Sequence, residues 1–212
     1  MPRVRRELLD AADELARRDR RFRRVIKEAG PPDLRRGRPR SEHFAELARA
    51  VAYQQLAGAA ARAIHGRFLA LFPDNRPTPE AVLALPVADL RAAGLSGTKT
   101  ATIRDLAARV VNGDIRLDRV ARLPDDEIVR ELTLVKGIGR WTAEMFLIFQ
   151  LGRLDVWPVE DFGVRKGYGR IHGLDPAPTA RELEPLGDRY RPYRSVAAWY
   201  CWRAADTTLP VA

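Results

Sequence analysis

Leu134-Val135-Lys136-Gly137-Ile138-Gly139-Arg140-Trp141-Thr142-Ala143 is the stretch that decides how the rest of the chain is read. Ahead of it, Pro124 precedes Asp125-Asp126-Glu127 and a segment running to Leu132, with proline where no N–H is needed and acids at the positive end of the dipole. That is a helix start. Gly137 and Gly139 are expected to take positive φ and turn the backbone sharply, after which Arg140 to Gln150 resumes helix with almost every position apolar. Helix, glycine turn, helix aims the free N–H groups of the turn and the N-terminus of the second helix the same way, a site for one phosphate oxygen. Such a contact positions a nucleic-acid backbone without reading its sequence. Glycine-x-glycine alone also fits an ordinary helix corner with a glycine C-cap.

Further along stands Pro158-Val159-Glu160-Asp161. Asp161 comes just before Phe162-Gly163-Val164-Arg165-Lys166-Gly167, which reads as a helix start whose dipole favours a negative charge. Its other reading is a plain N-cap, and Glu160 is its nearest rival.

Together these strings resemble the helix-hairpin-helix DNA glycosylases of the HhH-GPD superfamily, specifically the 3-methyladenine DNA glycosylase II family, over roughly residues 5 to 206. Ala52-Tyr53-Gln54-Gln55-Leu56-Ala57-Gly58 resembles that family's wedge segment, and Gly94-Leu95-Ser96-Gly97-Thr98-Lys99 its second phosphate-contacting turn. Arg191-Pro192-Tyr193-Arg194-Ser195 with Trp202 resembles its closing helix. The resemblance implies an all-α, two-lobed fold with a cleft between the lobes. Lobe A would be about residues 1–40 plus 151–212, and lobe B about 41–150 with the helix-hairpin-helix at 125–150. It implies a compact version without the N-terminal β domain of the larger members. The implied activity is that of a monofunctional glycosylase which hydrolyses alkylated purines such as 3-methyladenine and 7-methylguanine from duplex DNA.

The same resemblance assigns roles to residues. Asp161 would be the catalytic carboxylate. Trp141, Trp202, Met145, Gln55 and Tyr53 would line the substrate pocket, with Met145 standing where the family has a pocket tyrosine. Leu56 would be the wedge that fills the gap left by an extruded base. Gly137, Ile138, Gly139, Arg140, Thr142, Ser96, Gly97 and Lys99 would contact phosphates. Carbonyls of Thr133, Val135 and Ile138 would ligate a Na+ or K+ ion. No cofactor is otherwise required.

The chemistry agrees with these roles. An alkylated purine carries positive charge on its ring, so its glycosidic bond is weak and its departure leaves an oxocarbenium-like sugar. The enzyme's main tasks are to set a negative charge nearby and admit water. Bifunctional relatives carry a lysine where this chain has Trp141, and tryptophan has no amine to attack the sugar. Its ring can instead stack on a cationic base. A non-catalytic helix-hairpin-helix protein that binds damage or junctions is the alternative, but phosphate binding requires neither Asp161 nor the tryptophans. A glycosylase for oxidised bases or mismatches conflicts with Trp141 and with the missing cluster cysteines.

Composition sets bounds. The 212 residues, 46% apolar, suffice for one domain with a substantial core. The net charge is +9, of which +7 lies in residues 1–40 (thirteen Arg and one Lys against seven acids), leaving +2 for the rest. That arm suits a polyanion, and equally a solvated amphipathic helix. Cys201 is the single cysteine, which excludes an intramolecular disulfide, a four-cysteine zinc site and a four-cysteine iron-sulfur cluster. No apolar run approaches a membrane span and the N-terminus lacks an apolar signal core, so a cytoplasmic protein, nucleoid-associated if bacterial, is expected; a monomer is expected as well. His43, His65 and His172 lack metal-ligand spacing and read as structural or surface residues.

Periodicity is helical nearly throughout. Phe44, Leu47, Ala48, Val51 and Gln55 share one face behind a Ser41 cap, and Ile103, Leu106, Ala107, Val110 and Val111 share another between Thr98 and Val111. Thr179-Ala180-Arg181-Glu182 reads as a capping box, and Ser195 is expected to cap the last helix.

Overall fold

The computed structural model describes residues 3–34, 39–56 and 58–205. In chain order its α-helices are α1 (Arg3–Arg18), α2 (Phe22–Ala29), α3 (His43–Tyr53), α4 (Gly58–Leu69), α5 (Pro79–Ala84) and α6 (Val87–Ala92). They continue with α7 (Gly97–Val111), α8 (Asp125–Leu132), α9 (Arg140–Met145), α10 (Phe162–His172), α11 (Ala180–Leu186) and α12 (Arg194–Ala204). No strand occurs among the described residues, so the fold is all-α. The chain forms two compact units, Arg38–Phe146 and Met1–Gly37 with Leu147–Pro210. It passes between them in Phe146–Gln150, where the helix begun by α9 widens into a π-helix instead of continuing as the α-helix its sequence suggests.

The unit of Arg38–Phe146 is built on α7, against which α3, α5 and α6 pack. Ile103, Leu106 and Ala107 of α7 are buried as the periodicity predicts, whereas Val111 at its end is exposed. Phe44, Leu47, Ala48 and Val51 of α3 are buried too. Gln55 leaves that face, because α3 stops at Tyr53 and Gln55 takes a left-handed φ of 56°. Ser41 does not cap α3. It lies in a 3-10 turn, Arg40–Glu42, that leads into the helix without a side-chain cap.

The other unit is organised around α12, whose residues Ser195 to Trp202 are all buried. A helix buried on every side belongs at the centre of its unit, and α1, α2 and α10 pack on it. Ser195 is a strut, not a cap: its Oγ accepts the Val156 N–H at 2.9 Å and donates to the Val156 carbonyl at 3.3 Å. The Thr179–Glu182 capping box forms as written. The arginine-rich α1 packs through Leu8, Ala11, Ala12 and Leu15, and Arg18 donates to the carbonyls of Arg189 and Arg191. At its end Asp19 is buried, and its Oδ2 meets the Tyr190 hydroxyl at 2.8 Å and His172 Nε2 at 2.9 Å. Burial opposes the Asp19 charge, but the bonds from His172 and Tyr190 outweigh it and hold the carboxyl below its ordinary range.

Candidate functional site

The hairpin is built from backbone and pinned by α7. Thr133 closes α8 by donating its hydroxyl to the carbonyls of Val129 and Arg130, at 2.8 and 3.0 Å. The Ile138 N–H then donates to the Val135 carbonyl at 3.0 Å and closes the turn. Gly137 has a φ of +96°, and a Cβ there would stand 2.2 Å from Thr102 Oγ1. Only glycine meets both conditions. The Thr102 hydroxyl donates to the Lys136 carbonyl at 2.8 Å and Asp105 Oδ2 accepts the Lys136 N–H at 3.1 Å, so α7 holds both backbone groups of one hairpin residue.

Gly139 differs from the expectation. Its φ of −91° and ψ of 174° are extended, so the turn needs one left-handed glycine, not two. A Cβ at Gly139 would meet nothing within 4 Å, and no side chain caps α9 behind it. The lack of a side chain at 139 leaves open the approach to the first N–H groups of α9. Ile138 contributes its backbone there while its side chain is buried. Arg140 is exposed with Nε donating to Glu144 Oε1 at 2.9 Å, and Trp141 is 36% exposed.

The side chains of two residues expected at phosphates have partners within the protein. Thr142 is buried, and its Oγ1 accepts from Gln54 Nε2 at 3.2 Å. Lys99 Nζ donates to the carbonyls of Ala52 and Gln54, at 2.8 and 2.7 Å. Those carbonyls lie at the C-terminus of α3, where no intrahelical donor is left for them. Ser96 and Gly97 are placed as expected at the start of α7, with Ser96 Oγ accepting the Lys99 N–H at 3.2 Å.

Leu56 sits in the turn between α3 and α4, 38% exposed, beside the exposed Gln55. Tyr53 is half-buried, edge-on to His65 with ring centroids 5.7 Å apart and 5.1 Å beneath the Arg49 guanidinium. Burial first, and the Arg49 charge second, push the His65 imidazole down to about 4, which makes it a neutral packing group. Met145 is buried at the end of α9.

Asp161 belongs to the other unit. It is the N-cap of α10 and nine-tenths buried, whereas its rival Glu160 is exposed. Its Oδ1 accepts two bonds of 2.8 Å, one from the Val164 N–H and one from the indole N–H of Trp202. Two donors on one oxygen fix the carboxylate about its Cβ–Cγ bond. Trp202 is fully buried, stacked on Phe149 at 5.5 Å, and its N–H is bonded to Asp161.

Glycines permit this contact. A Cβ at Gly163 would stand 2.8 Å from Trp202 Cδ1, and one at Gly167 would stand 1.8 Å from the Cys201 carbonyl oxygen. The Gly163-x-x-x-Gly167 spacing puts both on one face of α10, where the backbone lies against α12. That spacing is visible in the sequence and is the signal that identifies the support of Asp161. Gln54, Thr102 and Asp105 have no comparable signature, because each acts on backbone far away in the chain. Cys201 is buried in this contact, and burial pushes its thiol well up, away from nucleophilic chemistry.

Comparison with known proteins identifies the family. The model of the HhH-GPD superfamily base excision DNA repair proteins matches residues 48–192. DNA-3-methyladenine glycosylase 1 of Schizosaccharomyces pombe is 38% identical over 209 residues, covering 96% of this chain and 92% of that protein. The solved structure of the same organism's 3-methyladenine DNA glycosylase in complex with abasic DNA superposes with a TM-score of 0.85 at 35% identity, over 96% of this chain and 99% of that one. A DNA-3-methyladenine glycosidase from Bacillus halodurans gives 0.82 at 33% identity, over 93% of this chain and 89% of that one. The chain belongs to the HhH-GPD superfamily of base excision DNA repair proteins.

Proposed function

We infer that the chain is a monofunctional DNA glycosylase that binds duplex DNA and hydrolyses the N-glycosidic bond of alkylated purines, leaving an abasic site. The observation that carries this reading is the Asp161 carboxylate, buried at a helix N-terminus and oriented through one oxygen by Val164 and Trp202. As the cationic base departs, positive charge grows on the sugar, and a preorganised carboxylate stabilises it without reorganising. Water adds to the sugar carbon and loses a proton, the base leaves with the bond's electron pair, and no bond to protein forms. Trp141, without an amine, fits that outcome. The hairpin at Gly137 to Arg140 supplies the phosphate grip, and Leu56 the wedge.

The same reading places a monovalent cation at the carbonyls of Thr133, Val135 and Ile138. The Val135 carbonyl accepts the Ile138 N–H and keeps a second lone pair for an ion, so the donors suit a hard cation. The protein would act as a monomer, cytoplasmic or at the nucleoid. Among the described residues no helix is long and apolar enough to cross a membrane.

Incubation with methylated duplex DNA tests the reading. Free alkylated purines should appear on chromatography, strands should break only after alkali or heat, and borohydride should trap no protein-DNA adduct. A trapped adduct would show an amine attacking the sugar and would end the monofunctional assignment.

A further inference from the structure

Resting on that glycosylase reading, we propose that Lys99 is a positioning residue for the wedge: its ammonium, bonded to the Ala52 and Gln54 carbonyls, anchors the turn that carries Leu56. Three observations within one unit lead there. The turn is short and awkward, since α3 ends at Tyr53 and Gln55 adopts a left-handed backbone that glutamine does not favour. It therefore needs external ties. Lys99 provides one, placing a cation on the negative end of the α3 dipole and on carbonyls that lack helical donors. Gln54 provides the other, its side-chain amide donating to the Gly137 carbonyl and to Thr142 Oγ1, both at 3.2 Å.

The consequence is a mechanical linkage. Lys99 lies in the first turn of α7, just after Ser96, and α7 also holds Lys136 of the hairpin through Thr102 and Asp105. The turn expected to hold phosphate, the hairpin and the wedge thus share one rigid frame. Lys99 serves that frame from a half-buried position: burial lowers the pKa of its amine, and the two carbonyl bonds are the contacts that favour its charged form.

The test compares wild-type protein with Lys99→Met, Lys99→Arg, Leu56→Ala and the Lys99→Met/Leu56→Ala double variant. Amide exchange of the free protein over residues 52–58 should rise about tenfold in Lys99→Met, the loss expected for hydrogen bonds to a charged group, and return towards wild type in Lys99→Arg. Single-turnover excision from methylated duplex should fall about tenfold in Lys99→Met and little further when Leu56 is already alanine, because the lysine acts through the wedge. Affinity for undamaged duplex should stay within about twofold, with an unchanged salt slope. A loss of affinity for every duplex, with the salt slope shallower by about one, would make Lys99 a phosphate ligand and overturn the proposal. Unchanged exchange, or an excision loss that simply adds to that of Leu56→Ala, would overturn it as well. If the wild-type protein releases no alkylated base, the glycosylase reading fails, while exchange and the two-salt titration on undamaged duplex still decide the role of Lys99.

Discussion

The hairpin and the carboxylate are built on opposite plans. At the hairpin the working groups are backbone, the space in front of Gly139 is open, and Arg140 and Trp141 reach solvent. At Asp161 the working group is a side chain enclosed by packing, with Gly163 and Gly167 removing every atom that would keep α10 from α12. On the proposed reading the hairpin is a grip that must accept any phosphate, which suits an exposed and unspecific site. A transition-state charge must not reorganise, so it is fixed by neighbours that are themselves fixed. Substitutions on the open face of the first region should therefore change binding, and those at packed positions, as at the second, should change chemistry or folding.

The largest effect on stability should come from closing the gap between α10 and α12. Gly167→Ala puts a methyl group inside the van der Waals radius of the Cys201 carbonyl, and backbone cannot yield as a side chain can. A loss of about 3 kcal/mol in denaturant unfolding is expected, with excision impaired as Asp161 moves. Near-wild-type stability would mean that the helices are not held this close.

Next in size is Trp202→Phe, which keeps a ring on Phe149 and deletes the N–H bonded to Asp161. Single-turnover excision should fall roughly tenfold to a hundredfold, the value of one hydrogen bond to a charged group, while duplex affinity is unchanged. A variant that lost affinity and kept its rate would reassign Trp202 to DNA contact.

The two hairpin glycines sharpen the comparison, because they should behave differently. Gly137→Ala strains a left-handed backbone and meets Thr102, so it should cost about 1–3 kcal/mol of stability. Gly139→Ala meets nothing in the free protein and should change stability by under about 0.5 kcal/mol, yet weaken lesion and undamaged duplexes alike. Unchanged affinity for Gly139→Ala would reduce the hairpin to a structural corner.

How much of this was legible in the sequence follows from the same contrast. The hairpin is local, so Gly137, Arg140 and the α8 start could be read in place, although Gly139 was assigned a φ it does not adopt. Leu56, expected at a turn between two helices, lies exposed in the α3–α4 turn. The side-chain partners of Lys99 and Thr142, the α3 carbonyls and Gln54, lie far off in the chain, and local pattern carries no record of such bonds. Asp161 was legible as an N-cap beside an exposed rival, but its bond from Trp202 was not. Ser195 misled for the same reason: a serine at a helix start suggests a cap, and tertiary contact with Val156 took precedence.

A pH-dependent effect concerns the support of α10 from its other end. The Asp19 carboxyl is held below its ordinary range, so its stabilising contribution is complete above the unfolded carboxylate pKa and is lost as pH falls through the folded value. Asp19→Asn should flatten the acid limb of a stability-against-pH curve and leave the neutral limb parallel to wild type. A steeper acid limb would contradict the sign of that shift.

The most direct measurement is single-turnover base release by Asp161→Asn on methylated duplex DNA, with duplex affinity measured alongside. The exchange removes charge and little volume while keeping a side-chain oxygen to accept the Val164 and Trp202 bonds. Release should fall by about a thousandfold or more, with affinity within a few-fold of wild type. Near-normal release by a folded Asp161→Asn protein would show that the transition-state charge is stabilised elsewhere and contradict the account at its centre.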